Sequence, residues 1–327
     1  MNVLSFTRLW PNAVEPTLAI FNEHRARALA AVPGYHGRTV APVAWFPRVP
    51  FPRRYAQLAR VPAHETRFGI TVEHPRYPVI PKIGLRLHGA GLVAATFRPV
   101  ADIVARERID VLDAHYVYAD GWAAVEMGRR LGIPTVITAC GSDVYTTPKT
   151  PSVRPLVKQA IAGATMLIAV GEPLAEGLRE LDADPSKIRV VPYGIDVGRF
   201  APDPVGRAAV RARLGLADGV PLVVSVGRLH PVKGHDLLID AIARLPGPAH
   251  FAVVGEGAER AKLEDRIRRR GIGDRITLAG NFPNDQLAAW YSAADLFCLP
   301  SRAEGHPNAL LEALACGAPQ DRAVRAT

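Results

Sequence analysis

Short β-branched runs alternate with amphipathic stretches along nearly the whole chain, a pattern that predicts parallel strands crossed over by helices. Strands are expected at Val3–Phe6, Thr39–Trp45, Val111–His115, Thr135–Thr138, Met166–Val170 and Ile188–Val191. A second series is expected at Leu222–Val226, His250–Val254, Ile276–Leu278 and Leu296–Leu299, with helices near Gly234–Leu245, Ala258–Arg270, Asn284–Ala293 and Pro307–Cys316. In the first of these helices Leu238, Ile242 and Leu245 share one face, as a helix lying on a sheet requires. Between the series, residues 196–220 gather Pro202, Pro204, Gly206, Gly215 and Gly219 in a polar, Arg-rich stretch, which predicts an interdomain linker. The expected fold is α/β, with two Rossmann-like doubly wound domains, residues 1–195 and 221–327, facing across a cleft. Ligands would sit at the carboxyl ends of the strands.

The length agrees with two domains, since 327 residues exceed what one core usually organises. With 48% hydrophobic and 22% charged residues, the composition is that of a globular protein. No apolar run reaches the roughly 18 residues of a bilayer span, and the start MNVLSFTRLWPN lacks a signal-peptide pattern, so a cytoplasmic location is expected. Cys140, Cys298 and Cys316 are too few and too scattered for a disulfide framework or a C-x-x-C pair.

The net charge of +9 is uneven: residues 1–195 hold 23 Lys/Arg against 16 Asp/Glu, and residues 196–327 hold 17 against 15. Arg48, Arg53, Arg54, Arg60, Arg67, Arg76, Lys82 and Arg86 face only Glu65 and Glu73 in the stretch they span. Such a patch suits an anionic acceptor or an anionic membrane surface. Nucleic acid is not expected, because no nucleic-acid-binding motif accompanies the charge.

The chemistry concentrates late in the chain. In LFCLPSRAEGHPNALLEALACGAP a strand runs into a loop ending at Glu304-Gly305-His306, with Pro307 suited to the first helical position. Amides at such a helix start suit a phosphate. Two carboxylates there, Glu304 and Glu312, would repel it unless they accept hydrogen bonds from sugar or ribose hydroxyls. Earlier, VVSVGRLHPVKGHDLL ends a buried strand at Gly227 and follows it with Arg228 and Lys233, two cations suited to a diphosphate. In the first half, His115 ends a strand and is a candidate cleft residue near donor or acceptor, and Asp143, in the segment CGSD, is a candidate for orienting the acceptor or the loop.

Taken together, VGRLHPVKG (226–234), VVGEGAERAKLE (253–264), PYGIDVGRF (192–200), the run 278–319 and the stretch 110–145 resemble glycosyltransferase family 4 over nearly the whole chain. The resemblance implies the GT-B fold and transfer of a sugar from a nucleoside-diphosphate donor with retention and without a metal or other cofactor. It implies that Arg228 and Lys233 hold the diphosphate, that Glu312 bonds the ribose and that Glu304 bonds the transferred sugar. The amides of Gly305, His306, Pro307 and Asn308 would lie by phosphate or sugar oxygens, although Pro307 has no N–H to give. Gly255, Glu256 and Gly257 would border the nucleotide. His115, Cys140, Gly141 and Asp143 would lie in the cleft or on the acceptor side; a saccharide or lipid-linked acceptor is expected, and the Arg48–Arg86 patch suggests peripheral attachment at the inner face of a membrane.

Two departures from that pattern carry expectations. Cys140 stands where many relatives have a His, which predicts reduced activity or an altered donor preference. After Pro319 the tail QDRAVRAT shows no strand pattern, so the second domain is expected to be truncated, with an open sheet edge, marginal stability and weak turnover. Three other readings stand beside this one. Asp182-Ala183-Asp184 matches the metal-binding D-x-D of other transferases, but turn chemistry accounts for it better. Gly255-Glu256-Gly257 suggests a nicotinamide-dependent oxidoreductase, although the third glycine of that fingerprint is missing. A non-catalytic remnant that binds nucleotide is the third.

Overall fold

The computed structural model describes residues 1–46, 53–79, 84–302, 304 and 306–322, the side chains of 53, 54 and 320–322 apart. The chain divides into two compact units, Met1–Tyr193 and Gly194–Thr327.

The first unit is built on β1 (Asn2–Phe6), β2 (His36–Val40), β3 (Val43–Trp45), β4 (His64–Arg67), β5 (Ile70–Glu73), β6 (Arg76–Pro78), β7 (Val111–His115), β8 (Thr135–Ala139), β9 (Met166–Ala169) and β10 (Ile188–Val190). Eight of these form one sheet in the order β10-β9-β8-β7-β1-β2-β5-β4, while β3 and β6 pair separately. All pairs are parallel except β4 with β5. Central strands buried on both faces read as continuous apolar runs, and in β1 the residues Val3, Leu4, Ser5 and Phe6 are all buried. Helices close the faces. His88–Glu107 contributes Leu92, Val93, Thr96, Val100 and Ile103 to the core despite Pro99 within it. Each of these buried Leu, Val and Ile side chains contributes about 1.5–3 kcal/mol.

The second unit has β11 (Leu222–Val226), β12 (His250–Val254), β13 (Ile276–Gly280), β14 (Leu296–Leu299) and β15 (Gln320–Arg322). Their order is β13-β12-β11-β14-β15, all parallel. Strand order therefore reverses between β11 and β14 here, and between β1 and β7 in the first unit. Open α/β sheets bind ligands at such switch points.

The structure corrects three expectations. The run Thr39–Trp45 is two strands, not one, because Pro42 lacks the N–H that a continuing ladder needs. Residues 196–220 are not a bare linker, since they hold the helix Pro204–Arg213, whose start is capped by the Asp203 carboxylate accepting from Gly206 N–H at 2.8 Å. That helix packs Val210 into the second core, and Arg207 and Arg211 grip Asp295 at 2.6 and 3.0 Å. Finally, Gln320–Arg322, expected to lack strand character, lies in register with Phe297–Leu299 and covers the edge of β14. Backbone pairing, with Phe297 N–H donating to Pro319 O at 2.7 Å, needs no apolar side-chain pattern.

Candidate functional site

In the second unit the loops after β11 and β14 meet at the switch point because glycine lets them. Gly234 has φ +68°, and a Cβ there would lie 2.0 Å from the Pro300 carbonyl oxygen. The close approach brings the Lys233 amine to 2.8 and 3.0 Å from the two Glu304 carboxylate oxygens. Ser301, itself buried, donates to the same carboxylate at 2.5 Å. Arg302, which sequence reading passed over, bolts the two loops together: it grips Asp236 at 2.8 and 2.6 Å and donates to Pro231 O. Its signal was only a charge pair 66 positions apart.

The loop after β12 closes on the same place. A Cβ on Gly255, at φ +147°, would sit 2.0 Å from Gly227 O, and one on Gly257 would sit 2.3 Å from Leu229 O. These glycines thus let the backbone pack closely against residues 227–229. Glu256 pairs with Arg260 at 2.5 Å. The Lys233 stem passes 3.7 Å from where a Gly227 Cβ would be, and His235, 3% exposed, lies beneath with its imidazole pushed down in pKa by burial. Arg228 is exposed, and among the described residues no carboxylate pairs with it.

Glu312 has different company. Tyr291 donates to it at 2.6 Å, and burial pushes its carboxyl above the usual range against that hydrogen bond and the nearby Arg199 charge. The helix Asn308–Ala315 starts one residue later than expected, with Pro307 before it. Asn308 N–H is already spent on His306 O at 3.0 Å, so it is not one of the free amides expected there. Gly305 lies outside the described residues.

At the switch point of the first unit, β7 ends in a buried Asp113-Ala114-His115. Arg25, from the helix Ile20–Ala30, places Nη1 2.5 Å from Asp113 and 2.8 Å from His115 Nε2. Beside them Arg8, following β1, pairs with the fully buried Asp120 at 2.5 Å and reaches Tyr77 Oη at 3.3 Å. Sequence reading found His115 but neither Arg25 nor Arg8. For Asp143, of the two roles expected, acceptor or loop, the geometry favours the loop. Its carboxylate is fully buried and accepts the backbone N–H groups of Val117, Cys140 and Gly141 at 2.8, 3.0 and 2.7 Å, so it organises the loop and has no free face for an acceptor. Gly141, at φ +126°, makes the turn that permits this. Burial and Asp143 push the Cys140 thiol up, so it stays protonated at neutral pH.

The basic patch is smaller than its sequence count. Arg67 is spent on Glu23 at 2.5 Å, and Arg76 donates to the carbonyls of Leu58, Ala59 and Val61. Arg60 and Arg86 are exposed, the side chains of Arg53 and Arg54 are not described, and Arg48 and Lys82 lie outside the described residues. Arg86 borders an open cavity of about 220 Å³ lined also by Leu87, Ala90, Tyr118, Trp122 and Leu156. The polar tips of its aromatic walls are already engaged: Tyr118 donates to Leu85 O and Arg86 O, and Trp122 Nε1 to Gln159. Asp182 pairs with Lys158, and Asp184 caps a turn by accepting from Ser186 N–H at 2.9 Å, so the D-x-D is structural. Among the described residues no helix is long and apolar enough to cross a membrane.

Comparison with known proteins covers both units. The family profile Glycosyltransferase Family 4 matches residues 49–199, and Glycosyl transferases group 1 matches residues 206–320. TuaC of Bacillus subtilis, provisionally named a teichuronic acid biosynthesis glycosyltransferase, is 30% identical over 328 aligned residues, spanning 98% of this chain and 80% of that protein. Among solved structures, sucrose-phosphate synthase from Thermosynechococcus elongatus superposes with a TM-score of 0.78 at 23% identity, over 98% of this chain and 80% of that one. HepE of Anabaena, in complex with UDP, gives a TM-score of 0.72 at 19% identity over the same shares. At those identities the two structures speak for the fold.

Proposed function

Because the chain belongs to glycosyltransferase family 4, has the GT-B fold and is a glycosyltransferase, we propose that it transfers a sugar from a nucleoside-diphosphate donor with retention and without a metal. The observation that carries this reading is the Lys233–Glu304 pair spanning the β11/β14 switch point, with the exposed Arg228, which pairs with no carboxylate among the described residues, on the loop after β11. Arg228 and Lys233 neutralise the diphosphate and the charge that develops on the departing nucleotide, a task that needs no metal where two cations are already in place. Glu304 accepts from a hydroxyl of the transferred sugar. Glu312, with one oxygen held by Tyr291, accepts from the ribose.

In the reaction an acceptor hydroxyl oxygen bonds to the anomeric carbon as the bond from that carbon to the β-phosphate oxygen breaks. The electron pair leaves with the nucleoside diphosphate, whose phosphate oxygen takes the acceptor proton on the same face. Support for a lipid-linked saccharide as acceptor comes from the Arg86 cavity, whose aromatic walls have their polar tips spent and so present apolar faces beside one cation. The same feature and the exposed Arg60 support a peripheral place at an anionic membrane.

Calorimetric titration with UDP, ADP, GDP and their glucose conjugates tests the donor site, with R228A and K233A as controls. Binding of one nucleotide class that both substitutions weaken at least tenfold, unaffected by EDTA, is expected. Equal binding to wild type and both variants would remove the basis of the assignment. NMR of the product's anomeric proton decides retention.

A further inference from the structure

Three side chains at the β1/β7 switch point form a contact whose polarity fixes a proton. Arg25 Nη1 lies 2.5 Å from Asp113 Oδ2 and 2.8 Å from His115 Nε2, and Nε2 is 3.3 Å from the same Asp113 oxygen. A guanidinium nitrogen can only donate, so at 2.8 Å the His115 Nε2 must present a lone pair. The ring proton then sits on Nδ1. Protonating both nitrogens would set an imidazolium against a guanidinium over a single carboxylate. The Arg25 guanidinium, 2.5 Å away, holds that carboxylate below the usual range against its own burial, so it stays charged and keeps Arg25 in place. Around the triad stand Asp120 on the segment after β7, and Tyr35 and Tyr193 beside Arg25.

His115 is 2% exposed, and its Nδ1 is buried with no hydrogen-bond partner. A buried N–H left unsatisfied costs about 1–3 kcal/mol. Here it lies at the carboxyl end of a strand at the switch point, where a ligand oxygen would satisfy it.

We propose that Arg25 and Asp113 are positioning residues that lock His115 in its neutral Nδ1–H form, and that this N–H is the hydrogen-bond donor which His115 offers to a hydroxyl or phosphate oxygen of the bound substrate. The lock rests on contacts within the first unit. The ligand half rests on the function proposed above, and the two are tested separately.

Long-range ¹H–¹⁵N spectra of the full chain at pH 7, assigned by loss of the signal in H115N, read the ring directly. Nδ1 is expected to be protonated and Nε2 bare. R25M releases the lock and moves both nitrogens toward the exchange-averaged pattern of a free imidazole, and R25K, which keeps a donor, restores it; a merely structural arginine would not move this readout. UDP release from UDP-glucose then tests the donor: H115N, which keeps an amide at the δ position, retains at least ten times the rate of H115Q, whose amide reaches the ε position. A protonated Nε2 in wild type, or ring signals unmoved in R25M, would overturn the lock. Equal rates in H115N and H115Q would overturn the ligand contact. No UDP release by wild type would count against the proposed donor, leaving the spectra to decide the lock.

Discussion

Glu304→Gln should tighten nucleotide binding while abolishing transfer. The Lys233 amine lies 2.8 and 3.0 Å from the two Glu304 oxygens, with side-chain exposures of 27% and 11%. A diphosphate that recruits Lys233 must draw it from this carboxylate and tolerate the carboxylate's charge nearby. Two unit charges at that spacing attract by about 6 kcal/mol at an effective dielectric constant of ~20. Lost hydration of both ions cancels most of this, and partly exposed charged hydrogen bonds leave a net of about 1–2 kcal/mol. Gln keeps the shape and an acceptor but loses the charge, so the nucleotide no longer competes for the cation. The Kd for UDP should fall roughly 5- to 30-fold. Turnover should fall at least ~100-fold, because the sugar loses its charged acceptor. Calorimetry at low and high salt is the assay, and the affinity gain should shrink as salt screens the charges. UDP binding to E304Q as weakly as to wild type, or more weakly, would refute the view that Glu304 occupies the Lys233 charge in the free enzyme.

Glu312 offers a pH test. Its folded pKa is raised by burial, so its stabilising contribution is fully present below the unfolded value of about 4.3 and is lost as pH rises through the folded value. E312Q, neutral throughout, should therefore melt higher than wild type at pH 7 with the difference vanishing near pH 4, while UDP affinity drops about tenfold; a Tm difference that does not change with pH would contradict this. D143N leaves three buried amide donors to a weaker acceptor and should cost about 2–4 kcal/mol in urea unfolding of the first unit. G234A meets both a φ of +68° and the Pro300 oxygen, and should lose UDP binding together with more than about 2 kcal/mol of stability. G132A, at φ +69° with nothing within 4 Å of its Cβ, should cost only about 1 kcal/mol and leave binding intact. Similar losses in both would show that strain alone, and not the approach of the two loops, decides the first.

The alternating pattern was enough to read nine strands closely, because central parallel strands must be apolar on both faces and their period is short. It missed the β4/β5 hairpin, whose strands are short and half exposed, and the helix His88–Glu107, which carries Pro99 inside it. Lys233, Glu304 and His115 could be named from the sequence, since each follows or ends a recognisable strand. Their partners could not. Arg25 stands 88 positions from Asp113, and Lys233 stands 71 from Glu304; no local period links such pairs. Whether Asp143 orients an acceptor or its own loop could not be decided for the same reason, its three amide donors being visible only once the turn is folded.

The sequence by itself determined which segments become strands and helices and which residue types could carry phosphate chemistry, because period and side-chain chemistry are local properties. Only the tertiary structure decided which charges are spent and which remain for a ligand. That depends on strand order and on backbone approaches such as Gly234 to Pro300, where interactions acting over a few ångströms join residues far apart in the chain.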